Sequence, residues 1–383
     1  MKKCCTSVMG WVLIGFCVAC SEITSQVDKF LNISPRESYV RKFFSEEPPF
    51  TDWQAAYEQA FQDSLEISLP FTLDGQFHSP NFFAHGYVCT LEEGQQLLIE
   101  NLVQLKYGKI FVEVFKQDST LDSEASPILS ETLSAITPTS LLINASGRYK
   151  VMIQPTMYLD TSFSIRMYAS PSFLFPVVGA TNRSILSFWG DPRDGGRRIH
   201  KGIDIFAPRG TPIVAVADGY IRFTGERGLG GKQVWLRDEL YNYSVYYAHL
   251  DSISSHSGDR VKRGDTLGFV GNTGNARFTP PHLHFGIYKR RRGATDPLSF
   301  VKLTQMPKLD IRPVGRSGIA RGTNGKLRTG PGNRYPILAN VQRGDTLALL
   351  GKSQGWYHIA TSDNHQGFLS QRNVKEIPTA IDL

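Results

Sequence analysis

Residues 279–288 read TPPHLHFGIY, and this short stretch decides how the middle of the chain folds. After Pro280 and Pro281, the run 282–288 (HLHFGIY) reads as a strand. Successive side chains of a strand leave opposite faces, so His282 and His284 share one face while Leu283 and Phe285 share the other. Two imidazoles on one face can converge on one site. An H-x-H pair alone is common, and its meaning depends on what the rest of the chain supplies.

Two earlier elements supply it. Residues 200–204 read HKGID, and residues 247–250 read YAHL. Gly202 with the β-branched Ile203 and Ile205 favours a loop running into a strand over a helix, which can bring His200 and Asp204 round to a common point. The set then offers four imidazoles and one carboxylate. A catalytic zinc usually takes three protein ligands from such groups and keeps a fourth position for water. Two His and one Asp suit that count, and the two remaining His can move protons near neutral pH.

The segment 180–300 resembles the lysostaphin-like (LytM-type) zinc metallopeptidases, whose markers are H-x-x-x-D, the His of Y-x-H-L, and H-x-H. The connecting text GIDIFAPRGTPIVAVADGYI, GDRVKRGDTLGFVGNTGN and DPLSF carries the same resemblance. It covers about a third of the chain. The resemblance implies that His200, Asp204 and His284 hold one Zn2+, that His249 and His282 are the catalytic pair, and that the substrate is peptide bonds in peptidoglycan stem peptides or crosslinks. Two other readings stand beside it: a catalytically idle wall-binding protein that activates other hydrolases, and an exported protease acting on proteins. Idle relatives lack ligands or catalytic histidines, whereas all five positions are filled here. Residues 277–281 (RFTPP) depart from the family's usual text and line the approach to the site. His256 matches nothing in the motif. The run Lys289–Arg292 reads either as a solvated face or as a contact for carboxylates of wall polymer.

The start of the chain predicts export. Lys2 and Lys3 precede an apolar run from Val8 to Ala19, long enough for a signal peptide and too short to span a bilayer. Cys17-Val-Ala-Cys20 resembles the lipobox of bacterial lipoproteins, with Cys17 where Leu is usual; this implies a lipid anchor at Cys20 as the membrane link, in the cell envelope facing periplasm or wall. Four of the five Cys lie in this leader, so Cys89 has no partner for an internal disulfide and reads as a core residue. Residues 21–180 carry 10 basic and 19 acidic side chains, residues 181–300 carry 18 and 11, and residues 301–383 carry 12 and 5. A basic C-terminal half suggests an anionic partner, for which cell-wall polymer suits an exported protein better than nucleic acid. The acidic part is also suited to dock on the basic half. Oligomeric state is not legible.

These readings predict a mainly β, multidomain chain: a lipoprotein-type signal (1–20), a linker with an amphipathic helix (21–64), an antiparallel β-sandwich (65–172), the metallopeptidase domain (173–305) and an SH3-like barrel (314–378). The helix is expected from Trp53, Ala56, Tyr57, Ala60 and Phe61 at helical spacing, with Thr51 and Gln54 as a capping box. The sandwich is expected from period-two runs such as KIFVEVF and GRYKVMIQP, and is similar to the domains that accompany secreted bacterial peptidases. Its His78 and His85 show no metal spacing, nor do His358 and His365. L-R-x-G-P, x-G-D and G-W-Y-x-I in residues 316–377 resemble a bacterial SH3-like domain, which implies wall binding through Tyr335, Trp356 and Tyr357.

Overall fold

The computed structural model describes residues 33–43, 48–78, 83–117, 126–304, 306 and 314–377. The leader and the Cys20 anchor lie outside the described residues. The fold is mainly β, as the sequence predicts.

The helix Phe50–Gln62 buries Phe50, Trp53, Ala56, Tyr57, Ala60 and Phe61 along one stripe. It lies against the sandwich, where the Trp53 Nε1–H donates to the Pro155 carbonyl at 2.8 Å. The expected capping box does not form: Pro49 is the N-cap and its carbonyl already accepts the Trp53 N–H, so Thr51 sits inside the helix.

The sandwich packs one antiparallel sheet (His85–Leu91, Gly147–Pro155, Ile110–Gln117, Leu129–Thr132) on a second containing Phe71–Phe77, Thr161–Pro171, Gln95–Asn101 and Thr139–Leu142. Alternate side chains, among them Leu73, Leu97, Val112, Val151 and Ile165, meet between the sheets. Residues 87–102 do not form one hairpin. Their two strands enter different sheets, and Gly94 turns the corner with φ 92°, a conformation that favours glycine. This corner docks on the middle domain. Glu93 pairs with Lys289 at 2.5 Å and accepts from the Tyr243 hydroxyl at 2.9 Å, while Cβ-less Gly94 lies under the Phe300 ring. One member of the basic run is thereby consumed, and the acidic half does meet the basic half here.

The middle domain is a ten-stranded antiparallel sheet with the order Arg260–Val261, Gly219–Glu226, Lys232–Asp238, Ser244–Ile253, His282–Lys289, Ile203–Phe206, Ile185–Ser187 along its main path. Ile203, Ile205, Val245, Tyr247, Leu283, Phe285 and Ile287 bury one face in a single core. The other face carries the polar set, as the strand alternation requires.

The C-terminal barrel, Ser317–Ala320 through Val374–Ile377, is not a separate bead. Asp74 pairs with Lys352 across the two domains, and the fully buried Phe368 packs within the sandwich core. His358 meets His85 (Nδ1 to Nδ1, 3.4 Å) and the Tyr87 hydroxyl (2.9 Å) in the same interface.

Candidate metal centre

Register brings the polar residues together. Asp204 lies directly opposite His284, and Phe206 opposite His282, on paired strands. Ala248 faces His284 from the other side, so His249 arrives from the neighbouring strand. His200 precedes the Ile203–Phe206 strand in the loop predicted from Gly202. That glycine is required by space: a Cβ would stand 2.5 Å from the Phe285 carbonyl oxygen and 2.8 Å from His284 Cε1.

Three donor atoms form a triangle. His200 Nε2 and His284 Nδ1 each lie 3.0 Å from Asp204 Oδ1, and 2.9 Å from one another. Ligands at ~2.0 Å in a tetrahedral zinc site stand about 3.3 Å apart, close to these edges. Among the described residues, this is the one group of His, Cys, Asp or Glu arranged to hold a metal ion. The His200 Nδ1–H donates to the Phe188 carbonyl at 2.8 Å, which leaves its Nε2 lone pair for a metal. Burial alone would raise the Asp204 pKa. The His200 and His284 imidazoles facing it outweigh that and hold the carboxyl well below the usual carboxylate range. Burial lowers the His284 pKa, against the pull of Asp204, so the imidazole favours its neutral form.

His249 and His282 stand beside the triangle with ring centroids 5.1 Å apart, and His249 is 5.9 Å from His284. Each donates its Nδ1–H to a backbone carbonyl at 2.9 Å, His249 to Thr273 and His282 to Pro280. Their Nε2 atoms are therefore the unprotonated ones. Burial, with the nearby His282 and His284, pushes His249 down to about 4. Its backbone has φ 65°, sparsely populated for a non-glycine residue; the surrounding structure holds it there.

The five residues floor an open cleft of about 970 Å³. Tyr246, Tyr288, Leu229, Gly230, Arg197 and Ile199 also line it. Of RFTPP, Thr279 lines the cleft and Phe278 is exposed. His256 is a surface residue near Asp259. The other sequence-selected residues lie away from the cleft. Tyr357 is buried with its hydroxyl on Glu376, Tyr335 is buried with its hydroxyl 3.0 Å from Ser68, and Trp356 packs against the sandwich core. These aromatics are spent on the barrel's own core and its junction with the sandwich, and only Trp356 keeps part of its ring accessible. Sequence reasoning also missed Arg193, Ser187 and the carbonyls that orient the imidazoles. Arg193 sits in a charge-rich run that reads as solvated surface, and backbone acceptors leave no residue signature.

Residues 198–297 match the model of Peptidase family M23, and residues 323–375 match that of the bacterial SH3 domain. All five cleft residues fall within the first match. The L-Ala--D-Glu endopeptidase of Bacillus subtilis is 40% identical over 123 residues, covering 30% of this chain and 37% of that protein. The peptidoglycan DD-endopeptidase ShyC of Vibrio cholerae is 39% identical over 26% of this chain and 24% of its own length. The uncharacterized lipoprotein YgeR of Escherichia coli is 34% identical over 35% of this chain and 52% of its own. The chain thus spans from about a quarter to about half the length of these relatives. Among solved structures, the catalytic domain of lysostaphin from Staphylococcus simulans is 33% identical, covering 30% of this chain and 87% of that one, with a TM-score of 0.27. The chain carries a family M23 peptidase domain and a bacterial SH3 domain.

Proposed function

We propose, from the family M23 domain, that this chain is an exported, lipid-anchored zinc metalloendopeptidase that hydrolyses peptide bonds in bacterial peptidoglycan. The observation that carries the reading is the convergence of His200, Asp204 and His284 beside His249 and His282 at the floor of an open cleft. Printed names of two relatives, an L-Ala--D-Glu endopeptidase and a peptidoglycan DD-endopeptidase, support the substrate class. The name of a third, a lipoprotein, supports the anchor.

His200 Nε2, Asp204 Oδ1 and His284 Nδ1 would hold the zinc. When bound, zinc lowers the pKa of water and polarises a carbonyl. The chain's own residues do the rest. His249, neutral at pH 7 with Nε2 unprotonated, takes a proton from the attacking water. His249 then hands that proton to the leaving amine, while His282, anchored by Pro280, stands beside the reacting carbonyl. The open cleft admits an extended peptide, and Arg197 and Lys201 in its lining suit the free carboxylates of stem peptides. With Tyr335 and Tyr357 buried, any wall contact by the barrel falls to Trp356 and its other surface residues.

The reading is tested by incubating purified protein with sacculi and identifying the released fragments by mass spectrometry. Peptide fragments that vanish with chelator and with His249→Ala support it. Equal release under both conditions refutes the zinc mechanism, and no release from zinc-loaded protein refutes the wall substrate.

A further inference from the structure

The metal carboxylate has a second oxygen, and the chain spends a cation on it. Arg193 Nη2 donates to Asp204 Oδ2 at 2.9 Å, while Oδ1 faces both imidazoles. The same Nη2 donates to the Ser187 hydroxyl. That hydroxyl lies 3.0 Å from Asp191 Oδ2 and 3.2 Å from His200 Nδ1. Arg193 belongs to a hairpin, Pro192–Arg193 paired with Arg198–Ile199, and the backbone closes that hairpin onto His200: the Gly190 N–H donates to the His200 carbonyl and the His200 N–H to the Asp191 carbonyl. Packing alone does not call for a guanidinium here, because an apolar chain would fill the space without placing a positive charge beside a cation site. What Arg193 adds is a directed donor to one carboxylate oxygen.

We propose that Arg193 is a positioning residue of the metal centre: it ties up Asp204 Oδ2 so that one oxygen alone is offered to the metal, and it makes the hairpin part of the centre. The inference rests on the proposed metal at His200, Asp204 and His284. Outer partners of metal ligands typically contribute a factor of ~10–100 in metal affinity.

The test is Arg193→Met, with Arg193→Gln as a neutral polar variant closer to the native side chain and Arg193→Lys as the conservative rescue. Zn2+ affinity is read by competition with a chromophoric chelator, and Co2+-loaded protein is read by its visible absorption. The expected result is Zn2+ binding weaker by about 10–100-fold in the Met and Gln variants, partly restored by Lys. The Co2+ bands should also lose intensity as the freed oxygen joins the coordination sphere. Thermal unfolding of the metal-free proteins should be near parental. Parental Zn2+ affinity and superimposable Co2+ spectra, in whichever of the Met and Gln variants folds, would overturn the proposal. Neither readout uses a wall substrate, so failure here and failure of the hydrolase reading are told apart.

Discussion

Lowering the pH should loosen the junction between barrel and sandwich, because two histidines are buried there without a carboxylate in contact. His85 is 2% exposed and His358 fully buried, with Nδ1 atoms 3.4 Å apart. Burial pushes His85 down to about 4, and His358 below its ordinary value through burial and then the neighbouring His85. A depressed histidine pKa means that the native state resists a proton which the unfolded chain accepts below about 6.5. The neutral pair therefore costs nothing at pH 7, and stability is lost as pH falls from about 6.5 toward 4. At 1.36 kcal/mol per unit, His85 alone accounts for about 2 kcal/mol between pH 7 and pH 5. Carboxylates elsewhere also titrate, so the informative quantity is a difference. Urea unfolding followed by tryptophan fluorescence at pH 7 and pH 5 should show a drop in stability about 2 kcal/mol smaller in His85→Phe than in the parent. The Phe ring suits a site already bounded by Phe77 and Phe163. Equal pH dependence in the two proteins would refute the reasoning.

Two further substitutions probe the architecture. Gly202→Ala places a methyl against the Phe285 carbonyl and the His284 ring, so Zn2+ binding should fall sharply, at a stability cost of ~1–3 kcal/mol for overpacking; chelator competition checks it, and parental affinity would contradict the packing argument. Phe368→Ala empties a fully buried site shared by barrel and sandwich, and should cost about 3–5 kcal/mol in urea unfolding. A loss under 1 kcal/mol would mean that the two domains are not coupled through this ring.

The candidate site was legible because each of its elements carries a local signature. Period two places His282 and His284 on one face, and Gly202 with two isoleucines predicts the loop-to-strand entry that brings Asp204 opposite His284. What the sequence hid is long-range. Leu129–Thr132 and Thr139–Leu142 are short, partly exposed strands without clean alternation, so they read as turns. The change of sheet at Gly94 leaves no mark on hydrophobic period. Tyr335 and Tyr357 look like ligand-binding aromatics because a ring looks the same in sequence whether it meets ligand or protein; burial decides, and Tyr357 is taken into the barrel's own core while the Tyr335 hydroxyl meets Ser68, 267 positions earlier. His85 and His358, 273 positions apart, could not be paired by spacing at all.

The most direct test of the central claim uses a defined crosslinked muropeptide dimer, incubated with zinc-loaded protein and analysed by mass spectrometry. The account predicts two fragments whose masses sum to the dimer plus one water. They should be absent with chelator and with a His249→Ala protein that still binds zinc. An intact dimer alongside cleavage of a denatured protein substrate, or fragments that persist in the His249→Ala protein, would contradict it.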